Sequence, residues 1–495
     1  MKLLEIYLSP IDAQRFSAIT TRSLAGDGNA ESVLPFWQGK HDHRSTLIKT
    51  LELSGGFNRK AFPDLEEQAW MVEAGLLTSD CKGFAPDYLK RVGQALWSSL
   101  FPDGSSLRSC LDSALRLTEQ AGEELHLRLK FAADSAKRSR LADYPWELLH
   151  DGQRFLLQSG MVLSRYIAYE ALPPRISQTS QLKVLLVSSR AEDKRLKLPK
   201  LPENDQQAIR EGLAMSVTAG SVVLETLKVP TLKGLSVYLT ECGDQMPQVI
   251  HFDGHGAYGQ RCGNLDCLRM HPGTKSERCS NCGQRLPMPE GFLLFEDGQG
   301  EPDYVSSVDF GLRLPKGVAL VVLSACQSGM SVVGESVFSG LAQRLINARV
   351  SAVVAMQYSV RVDAASQFSE QFYRVLGQRE PITVAMREGR GWMRSHSNQW
   401  YRPVLYLRWQ DNDGGQLFEF EQSEEQEPKL SVRQRLERDR FTQELADLEN
   451  QYAAVQSALR VETNPATMEK LKIQLEQLGE KMDVCERRLS REGNG

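Results

Sequence analysis

Two short segments hold side chains that packing alone does not require. The first is Val249-Ile250-His251-Phe252-Asp253-Gly254-His255-Gly256, where an apolar strand ends at Phe252 and two glycines predict a tight turn that holds His255 out over a sheet. The second is Leu323-Ser324-Ala325-Cys326-Gln327-Ser328-Gly329, where the apolar run Val318–Ala325 delivers a cysteine to its own carboxyl end. A thiol attacks a carbonyl as the thiolate, and imidazole is the side chain suited to take its proton near neutral pH. Cys326 is therefore the candidate nucleophile and His255 the candidate base. Gly256 leaves its N–H approachable, and with the Cys326 N–H it offers two donors to the oxyanion of a tetrahedral intermediate. Each residue alone has a bland reading, because a buried cysteine is usually a small apolar side chain and a lone histidine a satisfied polar one. Their joint placement at strand ends of one α/β pattern is what favours chemistry.

A second cluster suits a metal. Cys262-x4-Cys267-x11-Cys279-x2-Cys282 has the spacing of a zinc ribbon, with Gly263 and Gly283 beside two of the thiols. Four thiolates close a tetrahedral site, so the expected zinc is structural. His271, just before Pro272, is a spare fifth candidate. The segment has little apolar content and takes its order from the metal, on a scale of about 10 kcal/mol. It starts seven residues after His255, which makes it a candidate wall or lid of the substrate cleft, with surface decoration as the plain alternative. Arg261, Arg269, Lys275, Arg278 and Arg285 supply local positive charge, but no aromatic platform accompanies them, so nucleic acid is the weaker reading.

The elements that must position these groups lie between Gln181 and Leu407. Strands are expected at Lys183–Ser188, Val222–Val229, Gln248–Phe252, Val318–Ala325, Ser351–Tyr358 and Val404–Leu407. Helices are expected at Asn204–Ala214, Thr231–Glu241, Val337–Asn347, Asp363–Leu376 and Ile382–Ser395. Such alternation implies right-handed crossovers and a parallel sheet covered on both faces, with chemistry beyond the carboxyl ends of its strands. Residues 1–175 carry no chemical motif; a helical stretch is expected around Leu107–Leu117, and Leu141 to Leu149 reads as packing. His41 and His43 lack nearby ligands, and Pro173-Pro174 marks a linker.

In the tail, Phe441, Leu445, Leu448, Tyr452, Val455 and Leu459 keep heptad spacing, as do Met468, Leu471, Leu475, Leu478, Met482, Cys485 and Leu489. Asn464 and Pro465 fit the start of a second helix, so two arms folded back as a hairpin are expected, each roughly 35–40 Å long. Arg433 to Arg440 and Glu444, Asp447 and Glu449 read as solvated faces, and Glu419–Glu427 as a hinge.

The chain has 495 residues with 59 basic against 63 acidic side chains, a net charge of −4. No global basic field exists to drive non-specific nucleic-acid binding. No apolar run reaches the roughly 18–20 residues of a membrane span, and Met1–Leu8 is too short and too soon charged for a signal peptide. Nine cysteines are too few for a disulfide scaffold, so reduced thiols in the cytoplasm are expected.

With these residues in view, Gln181–Leu407 resembles a CHAT domain, a bacterial branch of the caspase-like cysteine proteases that also includes caspases, clostripain and separase. The resemblance is carried by Trp146-Glu147-Leu148-Leu149, Lys183–Ser188, His251–Gly256, Leu323–Gly329, and the helix Gly340–Ala348 leading into Ser351–Tyr358. It implies an α/β fold with a caspase-like, parallel-rich sheet flanked by helices, here with a zinc-ribbon insertion and a C-terminal coiled-coil hairpin. Position by position it assigns His255 as base, Cys326 as nucleophile and the Gly256 and Cys326 N–H groups as oxyanion hole; His251 matches no catalytic place and reads as strand packing. Caspase-type pairs put the histidine roughly 50 residues before the cysteine. Here the gap is 71, and removing the 21 residues Cys262–Cys282 leaves 50. Ser324 stands where some relatives carry an acid that reads a basic P1 side chain, and no arginine cluster selects an acidic one, so the P1 preference stays open.

The expected division is 1–175 as a supporting α/β region, 176–421 as the protease domain with the insertion at 260–288, and 422–495 as the helical hairpin. The resemblance further implies a regulated cysteine endopeptidase, an effector of antiphage defence that cleaves a companion protein encoded nearby, such as a gasdermin-like pore former. A protein regulator or recruiter would dock on the C-terminal helices. The rivals are a catalytically silent scaffold of the same fold and a nucleic-acid-sensing adaptor working through the ribbon and coiled coil.

Overall fold

Leu182–Ser188 and Leu320–Cys326 are the apolar runs that flank the strand Val249–Arg261 at the centre of the molecule. The three strands are parallel, with Val249 opposite both Val184 and Leu320. Strands apolar on both faces must be covered on both, and the chain supplies the covers between strands. Helices Asn204–Thr218, Leu232–Glu241, Val337–Asn347, Val362–Gly377 and Ile382–His396 occupy the expected intervals.

In the computed structural model all these strands belong to one 14-stranded mixed sheet. The model describes residues 1–39, 41–53, 59–133, 141–158, 160–243, 245–273, 276–326, 337–348 and 350–419, and in the tail 444–445, 447–448, 450–459 and 464–492. Cys326 is described by its backbone. Gln327-Ser328-Gly329, Lys275, the hinge beyond Glu419, Arg433 to Arg440, Phe441 and Glu449 lie outside the described residues. Among the described residues, no helix is long and apolar enough to cross a membrane.

Two features differ from simple strand–helix alternation. Pro403–Leu407 runs antiparallel to Ala352–Met356. Two helices, Val362–Gly377 and Ile382–His396, stand between these strands, and the second helix turns the chain back so that the next strand runs the other way. The N-terminal region also adds strands to the same sheet. Lys2–Pro10, Leu125–Ala132 and Met161–Ala168 are mutually parallel, and Arg165 pairs with Tyr406 where the two halves meet.

The segment Trp146–Leu149, read from sequence as packing, is fully buried but does more than pack. Glu147 forms a buried ion pair with Arg165 and lies 3.7 Å from Arg390. Arg165 also donates to Gln357 Oε1 at 2.8 Å, so residues far apart in sequence are tied across the seam of the sheet. Removing one partner from such a pair leaves an uncompensated buried charge.

The chain divides into two compact units, Met1–Glu419 and Phe420–Gly495. In the second, a helix runs from Pro465 to Glu492, starting at the expected proline. Leu448 and Leu478 are buried together, with Leu445, Tyr452, Val455 and Met482 packed against them, so heptad positions from both sides of Pro465 share one apolar cluster.

Candidate active site and metal centre

The register of the two central strands decides which residues meet. Phe252 lies opposite Leu323, Asp253 opposite Ser324, and His255 opposite Cys326, the last residue of its strand. Adjacent strands run about 4.8 Å apart, so a long sequence separation shrinks to one rung of a ladder. Pairing with Leu182–Ser188 stops at Asp253, and pairing with Glu290–Glu296 starts at Gly256 opposite Leu293. His255 thus sits where its strand changes partners, at the carboxyl end of the parallel ladder, the place where α/β sheets open a crevice for ligands.

The expected glycine turn is not what holds His255. The strand continues without a break to Arg261, and neither Gly254 nor Gly256 has a positive φ. Gly254 is needed for room instead, because a Cβ there would stand 2.7 Å from the Phe252 ring. Nor does His255 project into solvent, since it is 1% exposed. Its Nε2 lies 2.6 Å from the carbonyl of Pro199, so the ring nitrogen donates and the proton of the neutral ring is on Nε2. Any acceptor role of that ring then falls to Nδ1. Sequence reasoning missed Pro199, because a backbone carbonyl leaves no side-chain signature.

A buried polar network lies on the same strand face as His255, since His251, Asp253 and His255 alternate along it. His251 Nδ1 is 3.0 Å from the Tyr373 hydroxyl and Nε2 is 3.1 Å from Asp205 Oδ2. His251 was expected to be simple packing; the structure makes it a hydrogen-bonded node between the sheet and helices Asn204–Thr218 and Val362–Gly377. Burial pushes the Asp205 carboxyl up, but the His251 bond and charge outweigh it and its pKa is lowered. Asp253 moves the other way, to about 6, through burial and the nearby Asp205 charge, opposed by Arg190 at 3.0 Å. The acid opposite Ser324 is therefore already paired with an arginine.

The four cysteines of the expected ribbon converge, with all four sulfur atoms within 4.8 Å of one another. Cys262 and Cys282 are 3.4 Å apart and Cys267 and Cys279 3.6 Å. A tetrahedron with metal–sulfur bonds of about 2.3 Å has edges near 3.8 Å, so the residues fit a closed S4 metal site. The local chain explains the convergence. Cys262 N–H donates to Arg269 O, Cys279 N–H to Gln284 O, and Gly283 N–H to Cys279 O, the last at a φ of +73° that favours glycine. Backbone N–H groups of Cys282 and Asn281, with His271, bring the Cys279 thiol down to about 5 against the effect of burial. Cys262 goes up to about 12: the Asn264 N–H favours its thiolate, but burial and the three neighbouring thiols prevail. The set sheds its protons fully only when a cation balances the charge. His271 is not among the four; it is buried with Nε2 3.3 Å from Cys279 Sγ.

The ribbon is welded to the His255 strand. Met270–Pro272 pairs antiparallel with Gly259–Arg261, and a Cβ on Gly259 would stand 2.1 Å from the His271 carbonyl. A cavity of about 690 Å³ opens between ribbon and strand, lined by Tyr258, Gln260, Arg278, Arg285 and Met288. Tyr258 and Gln260 alternate with His255, so this cavity lies on the opposite face of the strand.

The family model for the CHAT domain matches residues 90–464. It begins well before Gln181 and takes in much of the N-terminal region. No curated protein matches the chain. Among solved structures, separase in the Saccharomyces cerevisiae separase–securin complex is 12% identical, over 82% of this chain and 30% of that one, with a TM-score of 0.36. The Arg-specific cysteine proteinase gingipain R is 8% identical, over 73% of this chain and 76% of that one, with a TM-score of 0.34. The chain thus spans less than a third of the separase chain.

Proposed function

This chain belongs to the CHAT domain family, and from that premise we propose that it is a cysteine endopeptidase in which Cys326 is the nucleophile and His255 the base. The observation that carries the reading is the register that sets His255 and Cys326 on one rung at the end of the parallel ladder. With Nε2–H donated to Pro199, Nδ1 takes the Cys326 proton. The thiolate adds to the scissile carbonyl carbon, and the oxyanion draws on the N–H groups of Gly256 and Cys326. Collapse breaks the C–N bond, the imidazolium gives its proton to the leaving amine, and a thioester remains. His255 then deprotonates a water that attacks the thioester, which releases the acid and restores the thiol.

Cys262, Cys267, Cys279 and Cys282 would hold a structural zinc, which when bound supplies a cross-link and no open coordination place. The C-terminal helices form a hairpin that serves as docking surface for a regulator or recruiter, and residues 1–175 support the catalytic half by extending its sheet. The biological reading is a cytoplasmic, regulated bacterial effector of antiphage defence that cleaves a companion protein, for example a gasdermin-like pore former. The burial of His255 favours one rival, a silent scaffold acting through ribbon and tail. Co-expression with the genomic neighbours separates the two. Wild type should yield cleavage products that Cys326→Ala and His255→Ala lack; identical patterns from all three would leave only the scaffold.

A further inference from the structure

We propose that Asp193 and Tyr304 are positioning residues for His255, holding the segment that carries the Pro199 carbonyl against Nε2. The inference rests on His255 being the base, and it deepens that reading. Pro199 has no N–H, so it cannot be fixed through its own amide, and its neighbours must place its carbonyl. They do so through one carboxylate. Asp193 Oδ1 accepts from the N–H groups of Arg195 at 2.8 Å and Leu196 at 3.2 Å. Asp193 N–H donates to Leu198 O at 3.0 Å, and Leu198 N–H donates to Asp193 O at 2.9 Å. The turn 193–198 is thereby closed immediately before Pro199.

The other carboxylate oxygen anchors this turn to the sheet. Tyr304, on the strand Pro302–Ser306, donates its hydroxyl to Asp193 Oδ2 at 2.7 Å. Both side chains are buried, at 4% and 3% exposure. Around them Leu198 packs in a small cluster with Ala257, Met270, Phe292 and Leu294, and Leu196 leans on it. Ala257 is two residues beyond His255 on the same strand. Apolar packing alone would attach a loop here. A buried carboxylate satisfied by two amides, an arginine and a phenol is directional, and direction is what a carbonyl aimed at one ring nitrogen needs.

The test reads the Cys326 thiolate without knowledge of the substrate. The full chain is treated with iodoacetamide across about pH 5 to 9, and alkylation of the Cys326 peptide is followed by mass spectrometry. In wild type the rate should persist below the range of an ordinary thiol. A carbonyl on Nε2 favours the imidazolium, so loosening it weakens the thiolate–imidazolium pair. Tyr304→Phe should therefore cut Cys326 alkylation near neutral pH by about tenfold and change the shape of the profile, with the circular dichroism and melting of the sheet kept. Asp193→Asn, which keeps shape and removes charge, should do the same in part and serves if Tyr304→Phe does not fold. A folded variant of either kind with the wild-type profile would overturn the inference while leaving the dyad intact. A His255→Ala protein with unchanged Cys326 reactivity would overturn the dyad itself, and the inference with it.

Discussion

His255 and Cys326 stand 71 residues apart and meet on one rung of a parallel ladder, whereas Cys262, Cys267, Cys279 and Cys282 come from 21 consecutive residues and converge within 4.8 Å. The first pair is a product of the whole sheet. It forms only when the strands around it are stacked in register, and their apolar faces drive that stacking. The second cluster is local: Cys262, Cys279 and Leu286 form a small buried cluster of their own, with Cys267 packed beside them. One arrangement is held by burial, and the other has the donor set of a closed metal site. They are joined at the short pairing of Met270–Pro272 with Gly259–Arg261.

Removing the proposed zinc should produce the largest contrast. Cys279→Ser with Cys282→Ser is expected to lose one zinc equivalent per chain and the order of residues 262–288, an effect of about 10 kcal/mol on that segment alone. Hydrogen exchange should rise there and stay low in Leu320–Cys326; equal loss in both would mean the two regions are one cooperative unit. A strike at the sheet should do the reverse. Glu147→Ala leaves Arg165 buried without its carboxylate and should destabilise the large unit by about 3–5 kcal/mol in urea unfolding. A smaller loss would show that Gln357 and the carbonyls around Arg165 suffice.

The joint itself is open to test. Gly259→Ala places a methyl against the His271 carbonyl and should cost about 1–3 kcal/mol, with faster exchange at Met270–Pro272 as the sign that the ribbon has moved off the strand. The smallest effect, taken per unit of pH, concerns the sheet alone. Burial holds His126 neutral down to about 3, whereas in the unfolded chain the ring takes its proton near 6.5. Between these values the unfolded state binds more protons, so stability should fall as pH drops through that window, by up to about 1.4 kcal/mol per pH unit. His126→Gln should flatten the slope; an unchanged slope would assign the acid sensitivity elsewhere.

Much of the fold could be read before any coordinates, for a reason visible in particular residues. Val318–Ala325 and Lys183–Ser188 are apolar without alternation, which only doubly covered strands tolerate, and Leu320–Cys326 and Leu182–Ser188 are such strands. The helix Val337–Asn347 has the expected bounds. The direction of Pro403–Leu407 was not legible, because antiparallel and parallel strands share one composition and the choice fell to a pair of successive helices. Nor was the course of His255: glycines at 254 and 256 suit a turn as well as a crowded strand, and the Phe252 ring decided which.

Residue type and spacing alone fixed the kinds of chemistry on offer: a thiol and an imidazole each following an apolar run, and four thiols close enough in sequence to share one ion. Those are local properties, written into side chains and short loops. The tertiary structure decided the rest. It chose the register that puts His255 opposite Cys326, the carbonyl that assigns the proton to Nε2, the burial of Asp205 with His251, and the arginine that occupies Asp253. Each depends on groups brought together from distant strands and helices, and such meetings are settled by the packing of the whole sheet, which no short stretch of sequence encodes.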